Sequence, residues 1–214
     1  MALPAQAQVV YATDGTTANV PGLTGFATTG ADMTGLGVTA TFSNGFSQSL
    51  AWGTTGVGAG GVFGTGWSLT LNGDSFTTNW IFDFTTVQAQ LTSLVLDGST
   101  GLTILDRTNP SPGTPGSSSG LDFNFATGSC VGCMATATYG GLTSVGGAAA
   151  VGDLFQKVTV TFGGTGPRVD WAFVQDTDND SRFVPGIPEP ETYALMLGGL
   201  GLVSWVARRR RQAA

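Results

Sequence analysis

Histidine is absent from the 214-residue sequence, and its two glutamates, Glu189 and Glu191, both lie near the carboxyl end. Without histidine the chain cannot assemble Ser-His-Asp or Cys-His catalysis, and most zinc sites lose their usual ligand. A glycosidase would need two aspartates from the preceding residues, and none of them stands in a recognisable acid–base setting. The sequence therefore predicts a protein that is not an enzyme, with aspartate-based hydrolysis as the remaining enzymatic alternative.

Charge is also scarce, because 10% of the residues are charged whereas 34 residues are glycine. Residues 8–185 contain 12 aspartates and four basic residues, which gives them a net charge of −8. Such an acidic body argues against nucleic acid or an anionic membrane surface as a partner. It is compatible with divalent cations or a neutral polysaccharide, and the composition is typical of a secreted β-protein.

No sustained helical period of apolar residues occurs before residue 193. Short runs alternate apolar and polar residues instead, as at Val38, Ala40 and Phe42, and this period of two indicates half-buried strands. These runs predict one all-β domain over residues 8–183, with a β-sandwich or jelly-roll architecture. The predicted strands are 38–42, 67–71, 80–84, 91–96, 102–105, 121–125, 135–139, 158–162 and 169–174.

Two segments of the body are predicted to be loops. Residues 57–66 contain five glycines and are expected to form a mobile connection. Residues 109–120, with the sequence NPSPGTPGSSSG, cannot bury much apolar area, so we expect them to form an exposed loop.

Cysteine occurs twice, at Cys130 and Cys133. In an oxidising compartment this spacing predicts a local disulfide that pins a turn. A redox-active pair would need the N-terminus of a helix to lower the thiol pKa, whereas the flanking residues predict a turn that enters a strand. A zinc site would need two more ligands, and the sequence has no further cysteine and no histidine to supply them.

Alternate aspartates, Asp176, Asp178 and Asp180, follow the last predicted strand and are expected to lie in a loop. Such a loop can turn several carboxylate oxygens toward one hard cation, and Ca²⁺ favours oxygen ligands. The segment departs from an EF-hand loop, because Ser181 replaces the glycine at position six and Ile187 the glutamate at position twelve. Two interpretations stay open: a weak, partly hydrated Ca²⁺ site, and a solvated acidic linker. The sequence predicts no cofactor, with Ca²⁺ at these aspartates as the alternative.

Two further patterns have both a functional and a packing interpretation. Tryptophans at strand positions would form a sugar-stacking platform if exposed, but their apolar alternation predicts core packing. Thr-x-Thr pairs would form a flat surface that faces glycan or ice, although half-buried strands often carry threonine on their outer face. The tryptophans are Trp52, Trp67, Trp80 and Trp171, and the pairs are Thr39/Thr41, Thr136/Thr138 and Thr159/Thr161.

The carboxyl-terminal residues form a targeting segment rather than part of a folded core. Two prolines hold the tripeptide Pro188-Glu189-Pro190 extended, and the uncharged apolar residues 193–207 follow it. As a helix this run is about 22 Å long. A transmembrane helix of that length is short for a hydrocarbon core of roughly 30 Å, so it would need bilayer thinning or flanking residues. Four consecutive arginines then hold this end on the cytoplasmic side: Arg208, Arg209, Arg210 and Arg211.

The stretch VPGIPEPETYALMLGGLGLVSWVARRRR, residues 184–211, resembles the PEP-CTERM sorting signal of Gram-negative bacteria that make exopolysaccharide. The resemblance implies that an exosortase, a membrane cysteine transpeptidase, recognises the tripeptide Pro188-Glu189-Pro190 and cuts near it. It also implies that residues 193–207 hold the chain in the inner membrane until that cut, and that the arginines halt translocation. The alternative is an ordinary tail anchor. The resemblance covers the tail alone and carries no activity for the body.

Residues 1–7 end in Ala5-Gln6-Ala7, which resembles the last part of a secretory signal peptide. We expect them to be a signal-peptide remnant or a short disordered N-terminus, with the mature chain beginning near Gln8.

The sequence as a whole predicts a non-enzymatic protein of the cell surface or biofilm matrix. The alternative function is a surface carbohydrate-binding module, with or without a dependence on Ca²⁺. Exopolysaccharide is a candidate partner, but the sequence does not identify the ligand.

Overall fold

The computed structural model describes residues 7–24, 27–86, 89–108, 110, 112–117, 119–164 and 166–183. The chain divides between Phe183 and Val184. The predicted sorting segment 184–211, with its apolar run 193–207, and nearly all of residues 1–7 therefore lie outside the described residues. Across the ranges just given, no helix has the length and apolar character that a membrane crossing requires.

The described body is all-β, as predicted, and its helical elements are two short 3-10 turns, Gly30–Met33 and Gly98–Thr100. Short alternating runs bounded by glycine-rich turns explain this content, since they favour strands over helices. The strands are β1 (Gln8–Thr13), β2 (Thr17–Val20), β3 (Leu23–Thr24), β4 (Gly37–Phe42), β5 (Ser47–Ala51), β6 (Gly53–Gly56), β7 (Ala59–Phe63), β8 (Ser68–Asn72), β9 (Trp80–Asp83), β10 (Leu91–Asp97), β11 (Thr103–Asp106), β12 (Asn124–Phe125), β13 (Met134–Val145), β14 (Leu154–Gly163), β15 (Trp171–Val174) and β16 (Asp176–Asp180).

Two sheets contain these strands. The larger sheet has the order β3-β16-β11-β14-β10-β4-β5, and β13 pairs with the other edge of β14. The strands β1 and β2 both run parallel to β13, which departs from the purely antiparallel sheets of a jelly roll. The smaller sheet has the order β12-β15-β9-β8-β7-β6.

The two sheets pack face to face over one apolar core, so the body is a β-sandwich. Val38 and Leu94 from the larger sheet and Leu69 and Phe82 from the smaller one are completely buried in this core. Aromatic rings join the layers, for example Phe125 of β12 and Phe162 of β14, whose centroids lie 6.3 Å apart. The core positions thus follow the period-two pattern of the sequence.

All four body tryptophans named above are buried, with exposed fractions of 0% to 3%. The indole of Trp52 donates a hydrogen bond to the carbonyl of Gly30, and that of Trp80 donates to the carbonyl of Gln175. Trp67 stacks on Phe82 with centroids 5.6 Å apart. These residues pack the core, and the sugar-stacking interpretation is wrong because their rings are not accessible.

Both loop predictions need correction. Residues 57–66 include strand β7, Ala59–Phe63, which pairs with β6 and β8. Within residues 109–120, Thr114 is buried because its backbone N–H and its hydroxyl both donate to the carboxylate of Asp153. Small polar side chains can thus be buried without apolar area when a carboxylate accepts their hydrogen bonds.

Candidate functional site

The three predicted calcium ligands lie on strand β16, so the prediction of a loop at Asp176–Asp180 is wrong. This strand pairs with β11 on one side and with β3 on the other. Aspartate and asparagine disfavour strands, but here each side chain is buried and has a hydrogen-bond partner. Asn179, for instance, donates to the carbonyl of Asp32 and accepts from the hydroxyl of Thr28. The specific side-chain contacts of β16 override the intrinsic preference of its residues.

Asp176 and Asp178 belong to a buried carboxyl cluster, which we define as Asp106, Asp176, Asp178 and the hydroxyl of Ser117. Asp106 lies opposite Asp176 in the pairing of β11 with β16. The hydroxyl oxygen of Ser117 lies 2.6 Å from Oδ2 of Asp178 and 3.0 Å from Oδ2 of Asp106. All three aspartates have exposed fractions of 1% to 2%.

The bridging hydroxyl limits how many carboxyl groups of the cluster can be ionised while both contacts are kept. A serine hydroxyl has one hydrogen to donate, so if both contacts of Ser117 are hydrogen bonds, one of the two carboxyl groups carries a proton. The second oxygen of Asp106, Oδ1, is buried and has no hydrogen-bond partner in the described part of the chain. A carboxylate held in this way is poorly solvated, which favours its neutral form.

The pKa values of the cluster follow from this geometry. Burial, together with the neighbouring charge of Asp178, raises the pKa of Asp106 to about 8, although the hydrogen bond from Ser117 acts in the opposite direction. Burial also raises the pKa of Asp178 to about 7. Burial raises the pKa of Asp176 to about 6, although hydrogen bonds from Ser75 and from the backbone of Thr177 act in the opposite direction. The cluster therefore binds protons at neutral pH.

Asp180 does not belong to the carboxyl cluster, because its carboxylate forms an ion pair with Arg182. The Nε of Arg182 lies 3.1 Å from each carboxylate oxygen of Asp180. Burial opposes ionisation, but the hydrogen bonds and charge of Arg182 hold the pKa of Asp180 below its usual value. Over the described residues, no group of three or more His, Cys, Asp or Glu side chains is arranged to hold a metal ion.

Gln175 is one of several buried polar residues that sequence analysis missed, and Asp106 and Asp153 are others. Gln175 separates β15, in the smaller sheet, from β16, in the larger one, so the chain crosses between the layers at this position. Its side-chain NH₂ group lies within hydrogen-bonding distance of the carbonyls of Leu121, Asp176 and Asp106. Its side-chain oxygen accepts a hydrogen bond of 2.7 Å from the hydroxyl of Tyr139. A single glutamine between an apolar strand and the aspartates was the only signal.

Cys130 and Cys133 form a disulfide in the turn that precedes β13. The turn is closed by a backbone hydrogen bond of 3.0 Å from Cys133 N–H to the carbonyl of Cys130. Cys133 is buried against the core. The pair therefore joins the start of β13 to the turn before it.

The fold and its sites define a class of protein: a β-sandwich body with buried carboxyl groups, followed in the sequence by a targeting tail. In a comparison with protein families, residues 186–211 match the PEP-CTERM protein-sorting motif. No curated protein and no solved structure matches the chain. The chain is thus a carrier of the PEP-CTERM sorting motif, which makes it an exported protein that an exosortase processes, with a membrane-anchored sorting signal before processing.

The matched range contains the predicted tripeptide and the four arginines, so the recognition made from the sequence is confirmed. All of these residues lie outside the described part of the structure. Their individual roles stay predictions: recognition by Pro188, Glu189 and Pro190, and arrest of translocation by Arg208, Arg209, Arg210 and Arg211.

Proposed function

We propose that this chain is a non-enzymatic protein of the cell surface or biofilm matrix, released there when an exosortase removes its tail. The observation that carries the proposal is the sorting motif at residues 186–211. In this mechanism the apolar residues 193–207 cross the inner membrane, and cleavage near Pro188-Glu189-Pro190 frees the β-sandwich. The body then remains on the surface or enters the exopolysaccharide.

The chemistry of the body supports a role without catalysis. An open groove of about 290 Å³ lies beside Leu50, Thr54 and Phe63, and a smaller hollow of about 100 Å³ lies beside Thr114 and Val145. Both are lined by aliphatic, aromatic, glycine, proline and threonine residues, so neither presents a general acid or base. The aspartates of the carboxyl cluster, Asp106, Asp176 and Asp178, are buried beneath the surface instead.

The tripeptide can be tested by Glu189→Ala in the native host. We expect the variant to insert into the membrane but to remain uncut, because the mutation removes the only charge of the tripeptide and leaves the apolar run and the arginines in place. The intact mass of the recovered protein reports the cut directly. Glu191→Ala is the matched control, because it removes the other tail glutamate just outside the tripeptide.

Two results would contradict the proposal. Unchanged cleavage of the Glu189→Ala variant would show that the tripeptide is not what the protease recognises. An uncut wild-type chain both in the host and in a strain lacking the exosortase would make the protein a plain membrane-anchored one. The expected result is cleavage of the wild type and of the Glu191→Ala control only when the exosortase is present.

The second candidate function is a surface carbohydrate-binding module. It is favoured by one observation, the rows of exposed and half-buried serine and threonine on the outer face of the larger sheet. Its calcium-dependent form has less support from geometry, because Asp180 is paired with Arg182 while Asp178 contacts Ser117. Loss of binding on treatment with EDTA would nevertheless favour the calcium-dependent form.

A further inference from the structure

The larger sheet carries two straight rows of hydroxyl side chains, which we call the hydroxyl face. The rows run across β5, β4, β10, β14 and β13, and the pairing registers place their members side by side. Nine of the ten positions are serine or threonine, the exception being Val95. The first row is Ser47, Thr41, Ser93, Thr161 and Thr136, and the second is Ser49, Thr39, Val95, Thr159 and Thr138.

The rows point away from the core. Their neighbours along the same strands, such as Val38, Leu94 and Val160, are completely buried between the sheets. Successive side chains of a strand point to opposite faces, so the row residues lie on the outer face. Ser47, Ser49, Thr136 and Thr161 are exposed, and the other row residues are half-buried.

The hydroxyl face has the shape of a strip. Neighbouring strands lie about 4.8 Å apart, so five strands give each row a length of about 19 Å. The two rows are two residues apart along each strand, which corresponds to about 7 Å. Strand β1 continues the rows with Val10 and Ala12 beside Thr136 and Thr138. A strip that is long and narrow matches an extended chain rather than a compact small molecule.

Most of the hydroxyl groups on the strip are available to a ligand. Between β4 and β5, the hydroxyl groups of Thr39 and Ser49 form a hydrogen bond of 2.7 Å, and those of Thr41 and Ser47 form one of 2.9 Å. The remaining five hydroxyls make no side-chain hydrogen bond within the described ranges of the chain, and they belong to Ser93, Thr136, Thr138, Thr159 and Thr161. Each hydroxyl both donates and accepts, as the hydroxyl groups of a sugar do.

The charge on and around the strip indicates which kind of extended polymer can bind. Neither row contains a charged residue, and the first charges beyond them, Asp97 and Lys157, lie side by side and compensate each other. The body around the strip is acidic, with a net charge of −8 over residues 8–185. An anionic polysaccharide or a nucleic acid would be repelled by this field, whereas a neutral polymer would not.

We propose that the hydroxyl face binds an extended, neutral polysaccharide chain that lies along the two rows, across the strands. The proposal rests on the proposed function, because it requires export of the body to a place that contains such polymers. Single hydroxyl contacts are weak in water. Binding therefore depends on many contacts along one chain, and it strengthens with polymer length.

Affinity gel electrophoresis of the protein purified from its host tests the proposal. The probes are hydroxyethyl cellulose as a neutral polymer and alginate as an anionic one. The test variant is Thr136→Val/Thr161→Val, which removes two exposed hydroxyls from the first row and keeps the side-chain shape. The control is Thr55→Val/Thr77→Val, which removes two exposed threonine hydroxyls from positions outside both rows.

The neutral polymer is expected to retard the wild type and the control, and alginate is expected to retard neither. The test variant should bind about tenfold more weakly, as the loss of two ordinary hydrogen bonds would give. Equal retardation of test and control variants would overturn the proposal, as would stronger binding to alginate. Absence of retardation by the neutral polymer would overturn it as well. Urea unfolding of each variant checks that the fold is intact.

Other occupants of the strip give different results. Slowed ice growth that the test variant abolishes would assign the rows to ice, and dimerisation that it abolishes would assign them to a second copy of the chain. Either result without polysaccharide binding would overturn the proposal. The intact mass of each variant separates this test from the proposed function, because a hydroxyl variant that is still cut at its tail leaves exosortase sorting untouched.

Discussion

At the scale of single residues, the buried carboxyl groups are the feature with the largest consequence for stability. Asp106 and Asp178 share the hydroxyl of Ser117, and both have pKa values raised by burial. An aspartate whose pKa is higher in the folded state than in the unfolded one binds more protons when folded. Its favourable contribution to the free energy of unfolding is complete below pH 3.8, the pKa of the unfolded state. The contribution is lost as the pH rises through the pKa values of the folded state.

The resulting prediction is a free energy of unfolding that falls between about pH 4 and about pH 8 and levels off above that range. The window follows from the folded pKa values of about 6, 7 and 8 for Asp176, Asp178 and Asp106. Asp106→Asn should flatten the upper part of this profile, because the amide stays neutral at every pH in the range. Urea unfolding at a series of pH values measures the effect.

A suitable control for this pH profile is Asp97→Asn. Asp97 accepts a hydrogen bond from the backbone of Ser99 at the start of a 3-10 turn, and asparagine serves equally well at that position. Its profile should follow the wild type. A wild-type stability that rises from pH 5 to pH 8 would show that the carboxyl groups of the cluster are ionised in the folded protein.

At the scale of elements, the step from β15 to β16 is the junction between the two sheets. Gln175 stabilises this junction because its side chain hydrogen-bonds the carbonyls of Asp106 and Leu121 and the hydroxyl of Tyr139. We predict that Gln175→Leu lowers the free energy of unfolding by about 3 kcal/mol, because it leaves several buried polar groups without a partner. Urea unfolding at constant pH measures the loss.

The control for the junction is Gln156→Leu, a half-buried glutamine on β14. Its stability should change by no more than about 0.5 kcal/mol, as is usual for substitutions away from buried networks. A similar loss in both variants would mean that the polar contacts of Gln175 contribute nothing specific to the fold.

The sequence predicts those elements whose residues obey simple patterns. The strands β4, β10 and β14 alternate apolar and polar residues, so their existence and their buried faces are both confirmed. By contrast, β16 reads DTDND and has no apolar residue, so no local pattern could indicate a strand. Its partners come from distant parts of the chain, Ser75 and Asp106 among them, and such contacts cannot be inferred from neighbouring residues.

The residues of the hydroxyl face and of the carboxyl cluster can be read from the sequence, but their arrangement in space cannot. The Thr-x-Thr pairs are visible in the sequence, but their alignment in two rows depends on the registers of β10 with β14 and of β14 with β13. A shift of one residue in either register would turn the hydroxyls of that strand to the other face. The burial of Asp178 likewise depends on Ser117, which belongs to a loop that the composition alone predicts to be exposed.

At the scale of the whole molecule, the fold is completed by its last strand. β16 lies between β3 and β11 in the larger sheet, and its residues are buried throughout. We predict that a chain ending at residue 183 unfolds cooperatively, whereas one ending at residue 174 does not, because β3 and β11 then lose their common neighbour. Circular dichroism during heating measures both; equal midpoints would contradict the prediction.

The position of β16 also orders events in time. In the mechanism proposed above, a chain that crosses the membrane from its amino end would expose β3 and β11 long before the strand that belongs between them. The larger sheet therefore stays incomplete until Asp180 has emerged, and the sorting motif begins at residue 186, directly afterwards. In that mechanism the end of folding and the arrival of the cleavage signal would fall at nearly the same moment of export, and the protease would meet a body that has only just folded.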